Sequence, residues 1–226
     1  MKYMNYYKEK TDQYFTNPRL DLISLLSKSS DSKILEVGAG GGDTLIAIKD
    51  LKYAKEVVGI ELFDLPQTNQ KDKRIDSFII GDIEKPDFTL PANYFDYIII
   101  GDVIEHLWDP WAAISFLSKS LKISGQFIVS MPNIRYFRAL IKIYFKGDFG
   151  YEKQGIFDKT HTRFFCKKNM IDLFEKEQFS VDKVLPINFI SSIKKKSYYL
   201  DKFTFGLFEE FLNLQYVMVV TKKKIN

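Results

Sequence analysis

Short apolar runs alternate along this chain with stretches of helical spacing. Ile34, Leu35 and Val37 form the first run, and Val57–Ile60, Phe78–Ile80, Phe95–Ile100 and Gly125–Ser130 follow it. Each is too short for a buried helix and is bounded by Gly, Asp, Glu or Pro, which predicts a strand. Between them, Asp43–Leu51 and Pro110–Leu121 read as helices. Asn17-Pro18 reads as a cap followed by a first-turn proline, opening a helix over Pro18–Lys28 with Leu22, Ile23, Leu25 and Leu26 on one side. Lys167–Gln178 is a further helix, carrying Met170, Ile171, Leu173 and Phe174; Val181–Leu185 and Tyr216–Thr221 are later strands. Strands in this alternation predict an α/β domain, a parallel sheet with helices on both faces.

At 226 residues and 46% hydrophobic content, the chain can bury a full core as one domain, 1–226. Formal charge is only +4, and just five of the 33 basic residues are arginines, a mild balance that gives nucleic-acid binding little support. The single cysteine, Cys166, excludes an internal disulfide and a multi-cysteine metal centre, and suits a reducing compartment. Charges interrupt the first residues where a signal peptide needs an apolar core, and no run reaches membrane-span length. A cytoplasmic protein is expected, with peripheral membrane contact left open.

The chemistry concentrates where strands end. Gly38, Gly40, Gly41 and Gly42 follow the first strand and precede a helix, a turn that can take positive φ and admit a ligand against backbone amides. A dinucleotide fingerprint G-x-G-x-x-G fails here, because its third glycine would be Asp43. Glu36-x-Gly38-x-Gly40-x-Gly42 fits instead, with an acid suited to an amino group. Glu61 ends the second strand, where a carboxylate can accept from both hydroxyls of a ribose. Gly81-Asp82-Ile83 ends the third, placing an acceptor for an exocyclic amine beside an apolar side chain that can pack on a base. Asp102, Glu105, His106 and Asp109 cluster after the fourth.

Taken together, Glu36-x-Gly38-x-Gly40-x-Gly42, Glu61, Gly81-Asp82-Ile83 and Asp102-Val103-Ile104-Glu105-His106-Leu107 resemble a class I S-adenosylmethionine-dependent methyltransferase over roughly residues 20–133. The later block, Met131-Pro132-Asn133 with Gly155–Phe165, is similar to a bacterial branch associated with O-methylation of polysaccharides and other small molecules. The resemblance implies a Rossmann-like, seven-stranded, mostly parallel sheet in the order 3-2-1-4-5-7-6, with strand 7 antiparallel. It further implies that Gly38, Ala39, Gly40 and Gly42 line the methionine part of the cofactor, Glu61 and Leu62 the ribose, and Asp82 and Ile83 the adenine. Glu36, Asp102 and Val103 would reach the amino-acid end.

Three segments flank this frame: an N-terminal lid over residues 1–30 and caps over 134–165 and 187–214. In the first cap, Ile134, Phe137, Ile141 and Tyr144 share helical spacing, with Arg135, Arg138, Lys142 and Lys146 on another face. Such a helix can receive a phosphorylated carrier, lie on an anionic membrane, or stand in water. Asp158-x-x-His161-x-Arg163 follows. His106 and His161 are the only histidines, and both are candidate general bases for a hydroxyl acceptor. Asn133, Arg135, Asp158 and Arg163 are candidate substrate contacts. Asp102, Glu105 and Asp109 carry oxygen atoms suited to Mg²⁺, but cofactor and helix-cap roles explain them equally, and no metal ligand is assigned. The expected function is S-adenosylmethionine-dependent O-methylation of a sugar, nucleotide sugar or other small molecule. The rivals are an NAD(P)-dependent oxidoreductase and an RNA-directed methyltransferase. Against amino-directed nucleic-acid enzymes, the Asn/Asp-Pro-Pro-aromatic turn is absent after the fourth strand.

Overall fold

A computed structural model describes residues 16–175, 178–187 and 208–224. Seven strands, β1 (Lys33–Val37), β2 (Glu56–Glu61), β3 (Ser77–Ile80), β4 (Phe95–Gly101), β5 (Leu121–Pro132), β6 (Phe179–Ile187) and β7 (Gln215–Lys222), form one sheet. Their order is β3-β2-β1-β4-β5-β7-β6. The pairs from β3 through β5 are parallel, whereas β7 runs antiparallel to both β5 and β6. This is the expected order. It differs from the dinucleotide-binding order 3-2-1-4-5-6 by the antiparallel strand inserted next to β5.

Because successive strand residues face opposite sides, the central strands bury both faces. Leu35, Val58, Ile98, Ile100, Phe127 and Val129 share one core with α3 (Pro110–Ser118) and α5 (Lys167–Phe174). Ile34, Val57, Ile99 and Ile128 share the other with α1 (Leu20–Ile23) and α2 (Asp43–Asp50). Parallel pairing in register brings Gly38, Glu61, Gly81 and Asp102 to one edge of the sheet. Since β7 is antiparallel, it is its start, Gln215 opposite Pro132, that reaches this edge.

Among the predicted helices, α3 stops at Ser118 and α5 at Phe174, and two others depart further from their patterns. The helix expected over Pro18–Lys28 is only the single turn α1. Ser24 Oγ bonds back to the Asp21 carbonyl at 2.7 Å, and the chain continues through i→i−3 bonds at Leu25 and Leu26. The basic amphipathic helix of the first cap is α4 (Phe137–Leu140) followed by a π turn over Ile141–Phe145. Only half of its expected apolar stripe is covered. Ile134 and Phe137 are partly buried against the core formed by Tyr136, Ala139, Ile156 and Phe157, while Ile141 and Tyr144 are exposed. The short α6 (Glu209–Leu212) precedes β7. Most of the 187–214 cap and the first half of the lid lie outside the described residues.

Candidate active site

The glycine turn is built for close approach. Gly38, Gly40 and Gly42 take φ of 72°, 52° and 90°, the left-handed region that glycine enters without penalty. A Cβ at Gly38 would stand 2.3 Å from Val103 Cγ2, so the turn after β1 and the turn after β4 touch through a missing side chain. The loop is tied from below by Gln70, whose amide donates to the Gly40 and Phe63 carbonyls at 2.8 and 3.0 Å.

Glu61 closes the turn from β2. Its carboxylate accepts from the Gly40 N–H at 2.9 Å and the Leu62 N–H at 2.8 Å. Burial pushes its acidity toward the neutral form, against the pull of the Gly40, Leu62 and Phe63 amides. A carboxylate has about four acceptor positions, so capacity remains for a hydroxyl donor. Asp82 caps its own turn, accepting from the Glu84 N–H at 2.9 Å, and Ile83 is buried beneath it. Leu62 is half exposed at the same edge.

Glu36 lies under the turn with its Oε2 buried and without a hydrogen-bond partner. Burial pushes its carboxyl up to about 8, partly offset by a hydrogen bond from Thr44 and the charge of Arg19. An acid raised in the folded state keeps its full stability contribution below the unfolded value, 4.5, and loses it as pH climbs toward 8. Glu36→Gln is therefore expected to match the parent in urea unfolding at about pH 4.5 and to exceed it by about 3–5 kcal/mol at about pH 8.5. A pH-independent difference would mean that Glu36 is charged in the fold.

Asp102 stands in the left-handed region at φ 55°, unusual for a residue with a side chain. Three partners hold it there. Arg19 Nη1 donates to Oδ2 at 2.7 Å, Ser130 Oγ donates to Oδ1 at 2.8 Å, and the Gln215 amide donates to Oδ1. Arg19 also grips Asp21, and its own N–H donates to Thr44 Oγ1. None of Arg19, Ser130 or Gln215 stands in a sequence motif; Gly101-Asp102 at a strand end is the only local signal.

His106 lies on the 3₁₀ turn Ile104–His106, just beyond Val103, and His161 arrives from the cap. Their rings meet edge to face with centroids 4.7 Å apart. His106 Nδ1 is 3.1 Å from the Thr160 carbonyl and His161 Nδ1 is 2.9 Å from the Ile156 carbonyl. Carbonyls only accept, so each Nδ1 carries a proton. The buried Glu105 carboxylate lies 3.9 Å from His161 Nε2. The cap is clamped to this turn by the Thr162 and Arg163 N–H groups, which both donate to the Glu105 carbonyl.

The oxygen set Asp102, Glu105 and Asp109 does not converge, since Asp102 is held by Arg19 and Asp109 caps α3 through the Ala112 N–H. Glu105, His106 and His161 do converge, with one potential ligand atom from each lying within 4.8 Å of the others. The other expected substrate contacts are engaged within the protein. Asn133 is fully buried and donates to the Glu210 and Asn213 carbonyls; Asp158 accepts from the Thr160 N–H and hydroxyl. Arg135 pairs with Glu210 over the Phe211 ring. Arg163 donates to the Trp108 carbonyl and lies over Trp111, and both tryptophans are exposed.

A family described as "Methyltransferase domain" matches residues 7–184. Two curated proteins named demethylmenaquinone methyltransferase are similar. The one from Staphylococcus saprophyticus is 28% identical over 129 residues, 54% of each chain, and that from Staphylococcus carnosus is 28% identical over 121 residues, 51% of this chain and 50% of the relative. The chain thus spans about half the length of the curated relatives it matches. Among solved structures, an S-adenosylmethionine-dependent methyltransferase from Mesorhizobium loti superposes with a TM-score of 0.64 at 14% identity, covering 90% of this chain and 96% of the other, a likeness of fold.

Proposed function

This chain belongs to the methyltransferase-domain family, with S-adenosylmethionine as its methyl donor, and from that premise we propose that it methylates a hydroxyl of a small molecule such as a sugar or nucleotide sugar. The observation that carries this reading is the meeting of His106 and His161 beside Glu105, one turn from the glycine loop. When bound, the donor supplies a methyl group already activated on sulfonium sulfur.

The protein's part is to bind, to align and to hold a proton. Gly38, Ala39, Gly40 and Gly42 form the cradle, Glu61 with Leu62 receives the ribose, and Asp82 with Ile83 receives the adenine. Arg19 stands where a donor carboxylate would want a guanidinium, and Asp102 with Val103 completes that end. Glu36 supports the turn from beneath. A hydroxyl is a poor nucleophile at neutral pH, and an imidazole Nε2 lone pair is a suitable acceptor for its proton. Glu105 then favours the imidazolium that forms. For the acceptor, Arg163 and the exposed Trp108 and Trp111 offer a cation and aromatic faces. Single-domain organisation belongs to the same reading.

A second reading takes a demethylmenaquinone-like acceptor and draws on the names of the two curated relatives. Incubation with methyl-labelled donor and a panel of nucleotide sugars, free sugars and naphthoquinols separates the two. An O-methyl resonance in a sugar product supports the first reading; a ring C-methyl on a quinol replaces it with the second. No transfer to any hydroxyl compound, with transfer to amines, would sink both.

A further inference from the structure

We propose that the segment following β5 seats this protein on an anionic lipid bilayer through Tyr144 and Phe145. These two neighbours are 82% and 79% exposed, their rings 5.2 Å apart, on the π turn after α4. They are not isolated. Phe137, Leu140, Ile141, Phe208 and Phe211 join them around an apolar groove of about 410 Å³. A contiguous apolar surface of this kind marks an interaction site rather than ordinary exterior.

The charge left unpaired around the patch selects its occupant. From Asn133 to Gly147 every charged residue is basic, Arg135, Arg138, Lys142 and Lys146, while the acids that border the patch, Asp148, Glu152, Glu209 and Glu210, are each paired with a cation. Lys142 is answered by Asp148 and Glu152, and Arg135 by Glu210, whereas Arg138 and Lys146 stand exposed beside the aromatic tip. Anionic headgroups answer them, while Tyr and Phe enter the boundary between headgroups and acyl chains. Among the described residues no helix is long and apolar enough to cross a membrane, so the segment lies on the surface rather than spanning it. The π turn serves this purpose. It widens the last turn of the segment, while Tyr136 and Ala139, one turn earlier, remain anchored in the cap core.

Co-sedimentation of the whole chain with vesicles tests the idea, using phosphatidylcholine alone and phosphatidylcholine with phosphatidylglycerol. Binding to the anionic vesicles is expected, weaker by about tenfold or more on neutral vesicles and in the double variant Tyr144→Ser/Phe145→Ser. The double variant Arg138→Glu/Lys146→Glu should lose anionic binding to a similar degree and leave the apolar tip intact. No binding of the parent to anionic vesicles overturns the proposal, as does equal binding by parent and both variants. A parent dimer that the serine variant dissociates, without vesicle binding, would assign the face to a second copy instead. Donor titration of each variant checks its fold, because none of these residues belongs to the glycine turn. The outcome is independent of the proposed reaction, since vesicle binding and methyl transfer are read separately.

Discussion

Replacing His161 with glutamine is expected to lower turnover by roughly 10²–10⁴-fold at saturating acceptor while donor affinity stays within about threefold. Glutamine keeps polarity and approximate volume but has no basic nitrogen, so the loss reports proton transfer rather than packing. His106→Gln should fall in the same range if the two rings act together, and the double variant should be little worse than either single one. The edge-to-face contact and the shared support of backbone carbonyls are the physical grounds for that non-additivity. Glu105→Gln should cost less than either histidine, because Glu105 favours the protonated ring without itself taking the hydroxyl proton. The same trio is also a donor set of two imidazoles and one carboxylate, the kind that holds zinc in catalytic sites. Dialysis against EDTA separates the roles. Unchanged turnover after chelation fits general-base chemistry, whereas loss that Zn²⁺ restores would transfer the trio to metal binding. Full activity in both single histidine variants would remove the base from the account.

Glu61→Ala is expected to weaken donor binding by about 10- to 100-fold. A ribose hydroxyl donating to the acceptor position left by the Gly40, Leu62 and Phe63 amides makes one charged hydrogen bond, contributing about 1.5–3 kcal/mol. The alanine variant should also lose stability, because the Gly40 and Leu62 N–H groups would lose their acceptor in a buried turn. Glu61→Gln separates these effects. Its amide oxygen can satisfy one backbone donor, so stability should recover in part, while its NH₂ group meets the remaining donor and ribose hydroxyl less favourably. Wild-type donor affinity in Glu61→Gln would place the ribose elsewhere.

The strands and the glycine turn are legible in the sequence because their causes are local. Ile34, Leu35 and Val37 are apolar on both faces, and the glycines at 38, 40 and 42 all take the positive φ that such a turn needs. Glu61 is legible one step further, since the strand after a glycine-loop helix lies beside the first. What surrounds Asp102 is not. Arg19, Ser130 and Gln215 lie 83, 28 and 113 residues away from it in the chain, and only the parallel sheet with its antiparallel β7 brings them to one edge. The histidine pair was legible as two candidate bases but not as a contact, because His161 reaches His106 through the cap's bonds to the Glu105 carbonyl. Asn133 and Asp158 show the converse limit. Polar residues beside a site read as ligands in sequence, yet here each is buried and holds backbone groups. The first cap is half legible for a related reason. Spacing defines a stripe, but what covers it is a tertiary fact: Ile134 and Phe137 meet the cap core, whereas Ile141 and Tyr144 stay exposed and Tyr136 turns inward.

The most direct measurement is calorimetric titration of the purified chain with S-adenosylmethionine, S-adenosylhomocysteine, NAD⁺ and NADP⁺ under one set of conditions. Stoichiometric binding of the first two is expected, with no binding of the nicotinamide nucleotides at comparable concentration. Preferential binding of NAD⁺ or NADP⁺ would contradict the donor assignment and leave only the fold standing.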